Sequence, residues 1–295
     1  MKNRPKGLIA AAATPLTPDR AIDIPRLAAH CRGLLERGCD GINLLGTTGE
    51  ATSFSVDERL SAMRAVAESG LPLERFLVGT GAANQPDAVA LTRAAMALGY
   101  GGALLLPPFY YKQVDPDGAA RYVDEVIARV EAPDLRLYLY HYPQLSGVPF
   151  DVETVAQLRA RHPRHLLGVK DSSGELAYST RLAAEVPDLD VFPSSEGTIG
   201  IAKARGFAGC ISATLNVNAE LSAAAWANPT SDTGQASLAR AVSIREALAA
   251  HKLVASVKHA LSLHYRDTAW RALRSPLTEL DEARRIVLED RLGAI

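Results

Sequence analysis

Short apolar runs alternate with amphipathic helical stretches along this 295-residue chain as far as Thr214, and that alternation constrains the fold more than any other feature. Candidate strands occupy residues 8–13, 41–45, 76–80, 103–106, 136–141, 166–170, 189–193 and 209–214. Helical patterns fall between them, at 25–37, 56–69, 86–98, 118–130, 152–161, 175–185 and 197–205. Asp23, Ser55 and Asp151 stand where helix caps belong, and Pro25 and Pro86 sit in first turns. The strands are apolar almost throughout, as in a parallel sheet covered on both faces. Eight such units predict an α/β fold, a (β/α)8 or TIM barrel. An open doubly wound sheet is the rival, but no G-x-G-x-x-G follows the first strand. Beyond Thr214 the strand signals stop, and residues 237–249, 253–264 and 280–292 read as three helices, with Pro276 before the last. The expected organisation is a barrel bearing the active site over residues 1–224 and a C-terminal helical cap over 225–295.

Charge and composition narrow the function classes. Lys+Arg 32 against Asp+Glu 33 leaves a formal charge of −1, so no field draws in nucleic acid or an anionic membrane. Apolar runs such as 7–13 fall far short of the ~20 residues of a membrane span. Pro15 and Pro18 interrupt the place where a signal peptide would carry its apolar stretch. The three cysteines, Cys31, Cys39 and Cys210, have neither metal spacing nor a disulfide framework, and a cytoplasmic location is expected. No phosphate loop and no Gly-x-Ser-x-Gly elbow occurs. His162-x-x-His165 has a metal-like spacing, but it flanks Pro163 ahead of a strand, at the end of a barrel that serves stability.

In a barrel, chemistry comes from the C-terminal ends of the strands. Lys170 closes the sixth. An amine desolvated in such a place is held less firmly as the ammonium, and a neutral amine can add to a carbonyl to form a Schiff base. The competing reading is a lysine that reaches out to pair with Asp171 or Glu196. Tyr140 ends the neighbouring strand, where a phenol could pass a proton; a core tyrosine with a satisfied hydroxyl is the alternative. Thr47-Thr48 lies between Gly46 and Gly49, so backbone N–H groups could line an anion nest, or the segment is simply a tight turn.

Taken together, Gly46-Thr47-Thr48-Gly49-Glu50, Pro108-Phe109-Tyr110-Tyr111, Tyr140-x-x-Pro143, Gly168-Val169-Lys170 and Gly209-Cys210-Ile211-Ser212 resemble the dihydrodipicolinate synthase / N-acetylneuraminate lyase family of pyruvate-dependent class I aldolases. The resemblance runs through the whole chain. It implies that Lys170 forms a Schiff base with a 2-oxo acid, typically pyruvate, and that Tyr140 relays protons. It implies that Thr47 and Thr48, in the turn opened by Gly46, hold the carboxylate. Tyr110 would complete the relay across a subunit interface, and Ile211 would offer its carbonyl near the imine. The implied assembly is a homotetramer, a dimer of dimers, and no metal or organic cofactor is implied, since the lysine itself supplies the electron sink.

Departures from the family pattern narrow the expected activity. Dihydrodipicolinate synthases carry an arginine two residues after the proline of Tyr-x-x-Pro, where it holds the aldehyde's carboxylate; here that position is Leu145. Leu145-Ser146-Gly147 resembles the sialic acid lyases and 2-keto-3-deoxy sugar acid aldolases instead, with Ser146 and Glu196 expected to bond substrate hydroxyls. His141 replaces the usual asparagine, and Lys112-Gln113 differs from both subgroups. The leading expectation is a lyase joining pyruvate to, or releasing it from, an aldehyde through a 2-oxo-3-deoxy acid. The alternatives are 4-hydroxy-tetrahydrodipicolinate synthase, acting on pyruvate and aspartate semialdehyde, and a dehydratase using the same imine.

Overall fold

A computed structural model describes residues 4–293. Eight parallel strands, β1 (Gly7–Ala11), β2 (Gly41–Leu44), β3 (Phe76–Gly79), β4 (Gly102–Leu105), β5 (Leu137–His141), β6 (Leu166–Asp171), β7 (Asp190–Pro193) and β8 (Gly209–Ser212), pair in chain order. β8 returns to lie beside β1, with Leu8 opposite Cys210. Across the remaining seam the Ala208 N–H donates to the Val191 carbonyl at 2.9 Å. The barrel predicted from the alternation is therefore the fold.

Side chains alternate across each strand, so both faces of the sheet are buried. Ile9, Leu77, Leu104, Tyr138, Phe192 and Ile211 fill the barrel interior. Leu8, Ile42, Val78, Leu105, Leu139 and Val191 face outward, into the layer between sheet and helices.

Around the strands run α1 (Ile24–Glu36), α2 (Val56–Ala67), α3 (Gln85–Ala97), α4 (Pro116–Val130), the short α5 (Pro143–Ser146), α6 (Val152–Arg161), α7 (Leu176–Glu185) and the short α8 (Ala202–Arg205). The expected caps act as such: Asp23 accepts from Arg26 N–H, Asp151 accepts from Thr154 N–H, and Ser55 forms a reciprocal capping box with Glu58.

After β8 come α9 (Leu215–Ala227), α10 (Asp232–Ala249), α11 (Leu253–His264) and α12 (Glu282–Leu292). Four helices stand where three were expected. The extra one, α9, carries apolar residues on nearly every side and so has no polar face to reveal its period; it packs on α10 and β1. The helix expected at 197–205 is a 3-10 turn over Glu196–Ile201 that continues into α8, in keeping with Gly197 and Gly200 in its first turns. Among the described residues no helix is long and apolar enough to cross a membrane. All three cysteines are free and buried.

Candidate active site

Strand register brings the two leading candidates together. In the β5–β6 pair Tyr140 lies directly opposite Lys170, so both side chains point into the barrel mouth. Lys170 Nζ stands 4.3 Å from the centroid of the Tyr140 ring. Lys170 is only 4% exposed and Tyr140 5%, so this contact is shielded from bulk water. The Tyr140 hydroxyl is reached by Thr47 Oγ1 at 3.5 Å and Ser172 Oγ at 3.4 Å. A cavity of about 580 Å³ opens above this group, lined by Lys170, Tyr140, Thr47, Thr48, Ile211 and Leu145 among others.

The turn after β2 has the local shape the sequence suggested. Leu45 and Glu50 bracket it in left-handed conformations, at φ +51° and +57°. A Cβ at Gly46 would come within 2.6 Å of Asn43 Oδ1, so the Asn43 side chain would have to shift to admit one. Glu50 N–H donates to the Thr47 carbonyl at 3.1 Å and Ala51 N–H to the Gly46 carbonyl at 3.2 Å. The amides of Thr47 and Thr48 have no acceptor among the described residues, which leaves them free for an anion. Gly46 borders a smaller neighbouring cavity of about 210 Å³ that also touches Arg59 and Phe109.

Several residues expected at the site stand elsewhere. Ser146 is fully buried at the end of α5; its hydroxyl donates to the Val148 carbonyl at 2.9 Å and accepts the Val148 N–H at 3.1 Å. That hydroxyl closes a turn and is not available to a substrate. Glu196 is fully buried as well. Its Oε1 accepts from Ser212 Oγ at 2.9 Å and Thr214 Oγ1 at 2.5 Å, and its Oε2 pairs with Arg245 at 3.2 Å. The carboxylate thus accepts three hydrogen bonds behind the wall, where it holds Arg245 and does not line the cavity. Tyr110 is 75% exposed and meets Tyr111 edge to face at 5.3 Å, outside the cavity.

His141, one residue beyond Tyr140, points to the opposite face of β5. Its Nδ1 accepts the Phe150 N–H at 3.1 Å and its ring stacks on Tyr178 at 4.1 Å. Burial lowers its pKa, against the opposing pull of Asp171 and Glu175. It is a packing residue beneath the site. Lys112 donates to the Phe109 and Ser146 carbonyls, which ties its own loop to the end of α5. His162 bonds Asp124 at 2.6 Å, and His165 lies 3.4 Å from the Leu135 carbonyl.

Tertiary structure adds lining residues that sequence reasoning missed. Tyr142, Ser172 and Ser194 lie just past strand ends, where the rule used to find Lys170 could have found them. Arg245 and Lys252 come from α10 and the loop before α11, far along the chain from any strand end, and no local signal marks them. Arg245 Nη1 is engaged by Glu196, Ser212 and Thr214; the rest of its guanidinium has no partner among the described residues.

Comparison with known proteins places the family and the fold. The model of the Dihydrodipicolinate synthetase family matches residues 4–295. An uncharacterized DapA-like lyase of Chloroflexus aurantiacus is 38% identical over 223 residues, covering 75% of this chain and 74% of its own. The crystal structure of dihydrodipicolinate synthase from Agrobacterium tumefaciens superposes with a TM-score of 0.90 at 30% identity, covering 97% of each chain. A 2-keto-3-deoxygluconate aldolase variant of Sulfolobus solfataricus shares the fold, with a TM-score of 0.84 at 22% identity over 97% of this chain and 94% of that one. This chain, a barrel with helices at its C-terminal end and a lysine and a tyrosine side by side in its mouth, belongs to the dihydrodipicolinate synthetase family of lyases.

Proposed function

We propose that the protein is a class I lyase that joins pyruvate to, or releases it from, an aldehyde through an imine on Lys170. The observation that carries this reading is the shielded contact of Lys170 Nζ with Tyr140, beside a turn with unpartnered amides. In this mechanism the turn of Thr47 and Thr48 receives the carboxylate of a 2-oxo acid. Lys170 adds to C2 to give a carbinolamine, and Tyr140 protonates the departing hydroxyl, so that water leaves and an iminium forms. For a 4-hydroxy-2-oxo acid, Tyr140 then takes the C4 hydroxyl proton. The C3–C4 bond breaks, its electrons flow into the iminium to make an enamine, and the aldehyde departs. Protonation at C3 and hydrolysis return pyruvate and the free amine. Ile211, in the wall, offers its carbonyl near the imine.

The lead substrate class is a hydroxylated 2-oxo-3-deoxy acid. Leu145 supports it by giving the cavity an apolar wall where a synthase would need a cation. Arg245 and Lys252 add donors for the hydroxyls of the aldehyde portion. The second reading, condensation of pyruvate with aspartate semialdehyde, draws support from the 30% identity to the Agrobacterium synthase.

We also propose a homotetramer in which Tyr110 reaches a neighbouring subunit, since it and Tyr111 are 75% and 73% exposed. Its setting is a reducing cytoplasm, consistent with three free buried cysteines.

Incubation with pyruvate and borohydride tests the core of the reading. A covalent adduct with the mass of a reduced pyruvate imine on Lys170 is expected. An untouched Lys170 would overturn it. A pyruvate-release screen over 2-keto-3-deoxy acids and N-acetylneuraminate, run beside the aspartate semialdehyde reaction, separates the two substrate readings.

A further inference from the structure

Behind the 46–50 turn lies an ion pair closed off from solvent. Glu50 and Lys258 side chains are both fully buried, with Lys258 Nζ 2.5 Å from Glu50 Oε1. Lys258 also donates to the Thr14 carbonyl at 2.9 Å, and Thr14 Oγ1 donates to the Gly49 carbonyl at 2.8 Å. The second carboxylate oxygen of Glu50 accepts the Arg274 N–H at 2.8 Å. These contacts close a ring from the end of β1, through Gly49 and Glu50, to α11 and back to Thr14.

Two features ask for more than a stabilising role. A buried ion pair is a poor stabiliser compared with apolar side chains of the same volume, because both charges must leave water. Desolvation accordingly pushes Lys258 below the usual lysine range, against the opposing pull of Glu50. Glu50 also holds a left-handed backbone, φ +57°, which persists in a residue with a side chain only where its surroundings impose it. Meanwhile α11, one turn before Lys258, lines the cavity with Leu253, Val254 and Ala255. One helix thus walls the cavity and anchors the turn that carries Thr47 and Thr48.

The geometry points to Lys258 as a positioning residue: by neutralising Glu50 it keeps that buried side chain seated on the Arg274 N–H, and so keeps the 46–50 turn in the conformation that receives the substrate carboxylate, which makes the C-terminal helices a working part of the active site. This rests on the imine reading of Lys170. The lysine has a second effect. Glu50 borders the cavity, and without the ammonium an unpaired carboxylate would repel an incoming 2-oxo acid.

The test reads half-saturation by pyruvate from borohydride trapping, quantified by mass, in wild type, Lys258→Met, Lys258→Arg and the double variant Lys258→Met/Glu50→Gln. Loss of the ammonium should raise half-saturation at least about tenfold, while trapping at saturating pyruvate changes much less. The double variant removes the unpaired charge, and the glutamine oxygen still accepts the Arg274 N–H. Its half-saturation should return to within about threefold of wild type. Lys258→Arg, which keeps the charge, should lie between wild type and Lys258→Met. A lysine with a merely structural role would leave the double variant as impaired as the single one. The proposal is overturned if Lys258→Met saturates like wild type, or if the double variant is no better than Lys258→Met. Should Lys258→Met fail to fold, a folded double variant decides: near-wild-type saturation supports the clamp, and a loss of tenfold or more overturns it. Wild type that is never trapped defeats the imine reading itself, whereas trapped wild type with an indifferent Lys258→Met defeats only the clamp.

Discussion

Tyr140→Phe should separate chemistry from stability. The ring stays, and with it the surface over which Lys170 Nζ stands at 4.3 Å. Only the hydroxyl goes. Its two contacts, 3.5 Å to Thr47 Oγ1 and 3.4 Å to Ser172 Oγ, lie at the long limit for O–H···O bonds. Losing them should cost no more than about 0.5–1 kcal/mol of folding stability. The catalytic loss should be much larger. A positioned proton carrier contributes about 10²–10⁴-fold, or about 3–5 kcal/mol of barrier. Urea unfolding gives the first quantity, and kcat for pyruvate release from a cleaved 2-oxo-3-deoxy acid gives the second. Trapping by pyruvate and borohydride should become slower yet still reach completion, because the amine is intact. Tyr140→Ala is the contrast: it removes the whole ring from the barrel core and should cost about 3–5 kcal/mol of stability. A Tyr140→Phe enzyme with kcat within threefold of wild type would refute the proton-relay role. One destabilised by more than 2 kcal/mol would show that the hydroxyl is structural.

Lys170→Ala and Lys170→Arg should both abolish turnover and trapping while the fold survives, since neither side chain supplies a nucleophilic amine; an adduct persisting in either, located by peptide mass, would move the nucleophile elsewhere. Arg245→Gln should lower kcat/KM for a hydroxyl-bearing aldehyde by about ten- to a hundredfold relative to an apolar aldehyde of equal length, the scale of a charge-assisted hydrogen bond; an unchanged ratio between the two would remove Arg245 from substrate recognition. Stability should fall in mild acid because of His30, whose pKa burial lowers to about 4 despite its bond to Asn216. The unfolded chain, titrating near 6.5, takes up that proton first, so the contribution is full above pH 6.5 and fades toward pH 4, with about 2 kcal/mol lost between pH 7 and pH 5. Urea midpoints in wild type and His30→Gln check this, and equal slopes in the two would contradict it. Light scattering should give a tetramer, and a fully active 31.5 kDa monomer would defeat the role assigned to Tyr110 at a subunit interface.

Local pattern made much of the site legible. Eight apolar runs with capped helices between them specify a barrel, because burial of both sheet faces leaves few other solutions. Once the barrel is known, strand ends become the mouth and Lys170, Tyr140, Thr47 and Thr48 stand there; the family resemblance then singles them out. The same positional rule misjudged Glu196 and Ser146. A polar residue at a strand end or in the loop beyond it can face the cavity or be drawn into a hydrogen-bond network behind it. Only the partners decide, here Ser212, Thr214 and Arg245 for Glu196 and Val148 for Ser146. His141 shows the same limit in a strand. Its neighbour Tyr140 faces the mouth, so the two-residue period turns His141 outward onto Tyr178, where it packs and cannot meet a substrate.

The sequence by itself therefore determined the barrel, the helical extension and the place of Lys170 at a strand end, since each depends on periodicity or on position along a strand. Tertiary structure alone decided what surrounds that lysine. Arg245 reaches the cavity wall from α10, and Lys258 reaches the back of the 46–50 turn from α11 across 208 positions of sequence. Neither residue stands out locally, because a basic side chain on a helix looks the same whether it faces water or a buried carboxylate. The difference lies in desolvation and pairing, and both depend on which distant elements the closed barrel brings together.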